Sequence, residues 1–149
     1  MQSITKIILI ANFASTLYMT GVIWLIQLVQ YPFFSQVGVD NFQKYHSSHS
    51  FWITPVVAPM MIVEIVSSVF LVLYPPNNID LKLIWIALFL AISVWLATFF
   101  LQIPMHEKLS TGFDADAHSF LVNSNWVRTI AWSLRSLLVG YFIWRQLEN

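Results

Sequence analysis

All four histidines of the chain, His46, His49, His106 and His118, fall outside its longest apolar runs. His46 and His49 are three apart and would share a helical face, as would Thr98, Gln102 and His106 at spacings of four. His118 closes the run Asp114-x-Asp116-x-His118. Imidazoles with carboxylates nearby suit zinc, copper or non-haem iron. The cofactor expected from these residues is therefore one transition-metal ion (Cu, Fe or Zn), with His46, His49, His106 and His118 as its ligands. The spacings contain no HxxxH or HExxH, and four interfacial histidines in wet loops would look the same.

Other polar groups converge on the same level. Asn12, Thr16, Thr20, Gln27 and Gln30 follow helical spacing along one stripe, and Arg128, Trp132 and Arg135 lie on one face of another segment. Gln27, Gln30, Asn125 and Arg128 match the histidines in depth, which predicts a polar cavity lined from all sides. Glu64 lies about 18 Å and Arg135 about 14 Å from the histidine end at a helical rise of about 1.5 Å per residue. Both then fall near the middle of a hydrocarbon layer about 30 Å thick, where a lone charge is costly, so a buried Glu64–Arg135 ion pair is expected.

The composition says what must position these groups. The chain has 149 residues, 58% hydrophobic and only 9% charged. An ordinary soluble domain carries about 25% charged residues, so this chain cannot build a polar shell. Net charge is balanced with no basic run, which gives nucleic acid nothing to bind. The absence of cysteine removes disulfides, thiolate metal sites and a cysteine nucleophile. Few glycines and no glycine-rich loop argue against a phosphate cradle.

Four apolar segments are long enough to span a bilayer, at about 20 residues each: 4–31, 51–74, 81–103 and 126–144, the last helix continuing to 146. Pro32 and Pro104 are expected to close the first and third, and the Pro75-Pro76-Asn77-Asn78 run to turn the chain between the second and third. Runs without alternation mean helices, because lipid leaves no partner for an open backbone. Short helices are expected at 40–50 and 114–122, capped by Asp40 and Asp114. The fold expected is all-α: a single-domain integral membrane four-helix bundle over residues 1–149, with both termini on one side, side A, and the histidines on side B. Lys6 precedes an apolar run with no small-x-small cleavage site, which reads as a retained helix. The tally of Lys and Arg places the termini in the cytoplasm of a bacterial cytoplasmic membrane. Tyr31, Phe33, Phe34, Trp52 and Trp126 near side B, and Tyr74, Trp85, Tyr141 and Trp144 near side A, have the placement of interfacial belts.

Gly21 with Gln30-Tyr31-Pro32, then Thr98-Phe99 with Pro104-x-His106-x-x-Leu109, then Asn125-Trp126-x-Arg128 and Trp132-x-x-Arg135, resemble the anthrone-oxygenase-like family of small four-helix membrane proteins. The resemblance implies a membrane-embedded oxygenase or oxidoreductase acting on a planar aromatic or quinone-like molecule. In that setting His106 and Arg128 are the expected catalytic residues, the histidine as proton acceptor and the arginine stabilising a phenolate or enolate oxygen. Gln27, Gln30, Gln102, Asn125, Trp126 and Trp132 are the expected substrate contacts.

Two other functions fit the same sequence. A carrier of small molecules or ions could use Glu64 and Arg135 at the midplane, and would need a homo-oligomer because four spans are few. A non-catalytic accessory subunit would use the bundle only for packing, although small-xxx-small faces are limited to cases such as Ala11–Ser15. The partners common to every version are the lipid bilayer and a hydrophobic small molecule.

Overall fold

A computed structural model describes residues 2–148. Its regular structure is helical throughout, with no strand among the described residues. Four long rods make a bundle. The first combines α1 (Gln2–Leu25), a π-helical segment (Ile26–Gln30), α2 (Tyr31–Phe33) and a 3-10 turn (Phe34–Gln36). The second is α3 (Val39–Leu73). The third joins α4 (Leu81–Ala97), a π segment (Thr98–Gln102) and α5 (Ile103–Leu109), and the fourth is α6 (Ala115–Leu147). Three rods are long and apolar enough to cross a membrane: Ser3–Gln36, Val39–Leu73 and Leu81–Leu109.

The fourth rod, expected as a span of the same kind, is not among those three. Its inner face carries Asn125, Arg128, Thr129 and Arg135, all buried, and these polar groups lower its mean hydropathy. The short helices expected at 40–50 and 114–122 are not separate. Each is the first part of the long rod that follows, since nothing between Ser50 and Phe51 or between Val122 and Trp126 breaks the hydrogen-bond ladder. Asp114 caps α6 by accepting the Ala117 N–H at 2.8 Å, whereas Asp40 lies within the first turn of α3, whose cap is Gly38.

Pro32 and Pro104 do not end their rods either. Each lies just after a π segment, where Tyr31 N–H reaches Ile26 O and Ile103 N–H reaches Thr98 O. A proline has no N–H to donate and its ring crowds the carbonyl four residues back. The wider π turn relieves that crowding, so the helix continues past the proline. Both sites read Gln-x-Pro, at Gln30-Tyr31-Pro32 and Gln102-Ile103-Pro104. In an α-helix residues four apart drift by about 40° around the axis. The wider π turn offsets that drift and keeps Thr98, Gln102 and His106 in line.

Thr5 and Lys6 of α1, Tyr74 and Asn77 of the turn between α3 and α4, and Gln146 of α6 line one depression at one end of the bundle. The opposite end holds the histidines. There Gly112, at φ 146°, turns the chain from α5 into α6 in a conformation side-chain-bearing residues rarely adopt. The polarity of the bundle is inverted relative to a soluble protein. Asn12, Thr16, Gln27, Glu64, Ser67, Ser68, Gln102 and Arg135 are buried, while Ile7, Ile10, Phe51, Trp52, Phe70, Phe89, Phe100 and Leu137 are exposed.

Candidate functional site

The buried polar groups form two separate networks. The deeper one is centred on Glu64 and Arg135, whose carboxylate and guanidinium are 2.8 Å apart and no more than 1% exposed. Each polar side-chain atom of the pair has a partner within the protein. Glu64 Oε1 also accepts from Thr16 at 2.8 Å, and Oε2 accepts the Trp132 indole N–H at 2.9 Å. Arg135 Nη1 donates to Ala87 O, and Nη2 donates to Asn12 Oδ1 and Ser68 Oγ at 3.0 and 2.7 Å. The ion pair inferred from helical depth is formed, and it fastens all four rods to one another.

The second network lies between this pair and the histidine end, around Arg128. Its Nε and Nη2 donate to Asn125 Oδ1, and Nη2 also reaches Gln102 Oε1 at 3.2 Å and the Tyr31 hydroxyl at 3.3 Å. Nη1 has only Thr98 Oγ1, at 3.3 Å. Asn125 is itself fixed, because its Nδ2 donates to Gln27 Oε1 at 2.8 Å, and Gln102 is held through Ser124 at 2.9 Å. These acceptors are all neutral. Among the described residues no carboxylate forms an ion pair with Arg128, although its residue is only 7% exposed.

From Tyr31 the network continues into the imidazoles. The Tyr31 hydroxyl is 2.9 Å from His106 Nε2, and His106 Nδ1 is 3.0 Å from His46 Nε2. His49 Nδ1 accepts from Gln30 Nε2 at 2.7 Å. The ring centroids of His46, His49 and His106 lie 5.2 to 6.4 Å apart, packed around Phe34. His118 is elsewhere: its Nε2 meets the Tyr31 backbone carbonyl at 2.8 Å and ties α6 to the end of the first rod. Both nitrogens of His106 and one of His49 thus have hydrogen-bond partners. Among the described residues no group of three or more His, Cys, Asp or Glu side chains is placed to hold a metal ion.

The last partner in this chain decides the proton positions. His46 Nδ1 is buried with no partner. A buried N–H without an acceptor is rarer than an acceptor left unfilled, so the proton of His46 belongs on Nε2. It then points at His106 Nδ1, which places the His106 proton on Nε2, pointing at the Tyr31 oxygen. That oxygen also accepts from Arg128, which can only donate. The hydroxyl proton of Tyr31 is left over.

Tyr31 lines a pocket of about 270 Å³, close to the lower end of the range for small-molecule sites. Its walls are apolar: Met19, Ile23, Ile26, Ile53, Val57, Met61, Trp95, Phe99, Ile103 and Trp132. Its polar end is Tyr31, His49, Thr98, Gln102, His106 and Arg128. Thr54, Phe99 and Ile103 line it and are exposed, so its mouth opens sideways between α3 and the third rod.

Of the expected substrate contacts, Gln102 and Trp132 line this pocket, together with His106 and Arg128. Gln27 and Asn125 stand behind Arg128 and position it. Gln30 lies on a separate surface groove with Tyr45, Ser48 and Trp52. Trp126 is 38% exposed on the outside, edge-on to Trp24, because residue 126 falls on the outer face of α6. Tyr31 and Phe34, read from sequence as belt aromatics, are buried at 3% and 0% and belong to the site. The signal for Tyr31 was its place four residues after Gln27, on the polar stripe.

No protein-family model, no curated protein and no solved structure matches the chain.

Proposed function

We propose that the protein is an integral membrane four-helix bundle that takes a planar, oxygen-bearing aromatic or quinone-like molecule from the bilayer and acts on it as an oxidoreductase of the oxygenase kind. The observation that carries this reading is the sideways pocket: apolar walls with two indoles, closed at one end by Tyr31, His106 and Arg128. Polar groups inside and large apolar side chains outside fit a bundle surrounded by lipid. A mouth between two rods then faces the hydrocarbon rather than water.

The polar end supports acid–base work on a ligand oxygen. Arg128 and the Tyr31 hydroxyl stabilise negative charge developing there, and His106, bonded to Tyr31, tunes that hydroxyl. Each polar atom of the neighbouring Glu64–Arg135 pair already has a protein partner, and neither residue lines this pocket, which favours a packing role over a carrier site.

Two measurements test the reading. The protein should remain in the membrane pellet after alkaline carbonate extraction. Purified protein should show saturable quenching of tryptophan fluorescence by 1,4-naphthoquinone or 2-naphthol, lost in an Ala58→Phe variant that fills the pocket. Absence of saturable quenching by either probe would sink the pocket reading. Absence of oxygen uptake above the protein-free rate with naphthohydroquinone would leave a binding protein without the oxidative step.

A further inference from the structure

Two buried arginines occupy one face of α6, and only one has a counter-charge. Arg135 is matched by Glu64, while Arg128 meets only the neutral oxygens of Asn125, Gln102, Thr98 and Tyr31. Neutral acceptors orient a guanidinium but leave its charge uncompensated, and an unmatched buried charge is costly. Independently, the unpartnered Nδ1 of His46 places the histidine protons so that the Tyr31 O–H is unused. The polar end of the pocket therefore offers hydrogen-bond donors and a positive charge, and its missing component is an acceptor that is negative.

We infer that the molecule this pocket takes is an anion: an apolar, flat body bearing one anionic oxygen group, a carboxylate, phenolate or enolate, set against Arg128 and the Tyr31 hydroxyl. The inference rests on the small-molecule reading of the pocket and adds the charge of the ligand to it. A charged oxygen with two donors would complete for Arg128 what Glu64 does for Arg135. It also explains why Gln27, Asn125 and Ser124 are spent on holding Arg128 and Gln102 rather than facing the pocket.

The test compares two isosteric probes, 2-naphthoate and 2-naphthamide, on the full-length protein in detergent at neutral pH, read by tryptophan quenching and by the rise in thermal midpoint. Naphthoate should bind about tenfold or more tightly than naphthamide. That advantage should vanish in Arg128→Gln, which keeps hydrogen bonds but not charge, and survive in part in Arg128→Lys. Equal binding of the two probes to the wild-type protein overturns the charge inference while leaving the pocket reading intact, and needs no variant to fold. An advantage that persists undiminished in a folded Arg128→Gln protein overturns the role of Arg128. Binding of neither probe overturns the pocket reading itself. A decanoate arm separates sources: decanoate binding well above naphthoate supports the anion and overturns the flat body.

Discussion

Arg128 and Arg135 lie two turns apart on the same buried face of α6, yet Arg135 forms a 2.8 Å ion pair with Glu64 and Arg128 forms none among the described residues. Their surroundings differ in kind. Around Arg135 the protein supplies a carboxylate, a backbone carbonyl, an amide and a hydroxyl. Around Arg128 it supplies orientation without charge, beside a pocket. One arginine completes the fold, and the other is prepared for something outside the chain.

Breaking the Glu64–Arg135 pair from one side should be severe. Glu64→Gln or Arg135→Met leaves a buried charge alone and should destabilise the protein by about 3–5 kcal/mol. The double variant Glu64→Leu/Arg135→Met removes both charges and should recover much of that loss. Thermal unfolding in one detergent checks it. A double variant no more stable than either single would show that the pair acts as two independent groups.

Glu64 and Arg135 were legible in the sequence because depth along two antiparallel helices needs only residue counting, and a lone charge at that depth has few ways to be satisfied. Trp126 was misplaced for the opposite reason. An aromatic near a helix start fits a pocket and a belt equally, and only the rotation of α6 decides. Pro32 and Pro104 were read as ends because a proline breaks an α-helix, and a π segment ahead of a proline has no composition signal of its own. Tyr31 lies four residues after Gln27 on the polar stripe, but a tyrosine beside a proline near a span's end fits an interfacial belt equally well. The rings of His46, His49 and His106 pack against one another without forming a group placed to hold a metal ion among the described residues, while His118 went to a backbone carbonyl, a partner that carries no sequence signature.

The proton assignment makes its own prediction. With only four histidines in the chain, nitrogen-15 spectra of histidine-labelled protein can be assigned by single substitutions. His46 and His106 should both be neutral tautomers protonated on Nε2. An Nδ1-protonated tautomer on either would mean that the Tyr31 proton is given to His106, and would remove one donor from the pocket. Tyr31→Phe should leave the His46 tautomer unchanged, because His46 sits upstream of Tyr31 in this chain of donors.

The π segment before Pro104 should matter more for the site than for stability. Pro104→Ala restores an N–H and permits an ordinary helix, in which Gln102 rotates away from Arg128 by about 40° relative to Thr98. Quenching by 2-naphthol should weaken several-fold, with the thermal midpoint unchanged or raised. A variant with unaltered binding would show that side-chain packing alone sets the position of Gln102.

The cap at Asp114 supplies a test at the histidine end that is independent of the pocket. Asp114 Oδ1 accepts the Ala117 N–H and Oδ2 pairs with Lys108 at 2.8 Å. The Ala117 hydrogen bond first, and then Lys108, hold this carboxyl below its usual value of 3.8. A carboxyl whose folded value is depressed adds stability that is fully present above the unfolded value and is lost as pH falls through the folded one. The thermal midpoint should therefore drop as the solution is acidified below the normal carboxylate range. Asp114→Asn keeps a capping oxygen without titrating, so part of that acid-side drop should disappear while stability at neutral pH changes little. Asp114→Ala should lower the midpoint at neutral pH, since the first turn of α6 then has an N–H with no side-chain acceptor. An Asp114→Asn protein with the same acid profile as wild type would assign the drop to other carboxylates and leave the cap a geometric role only.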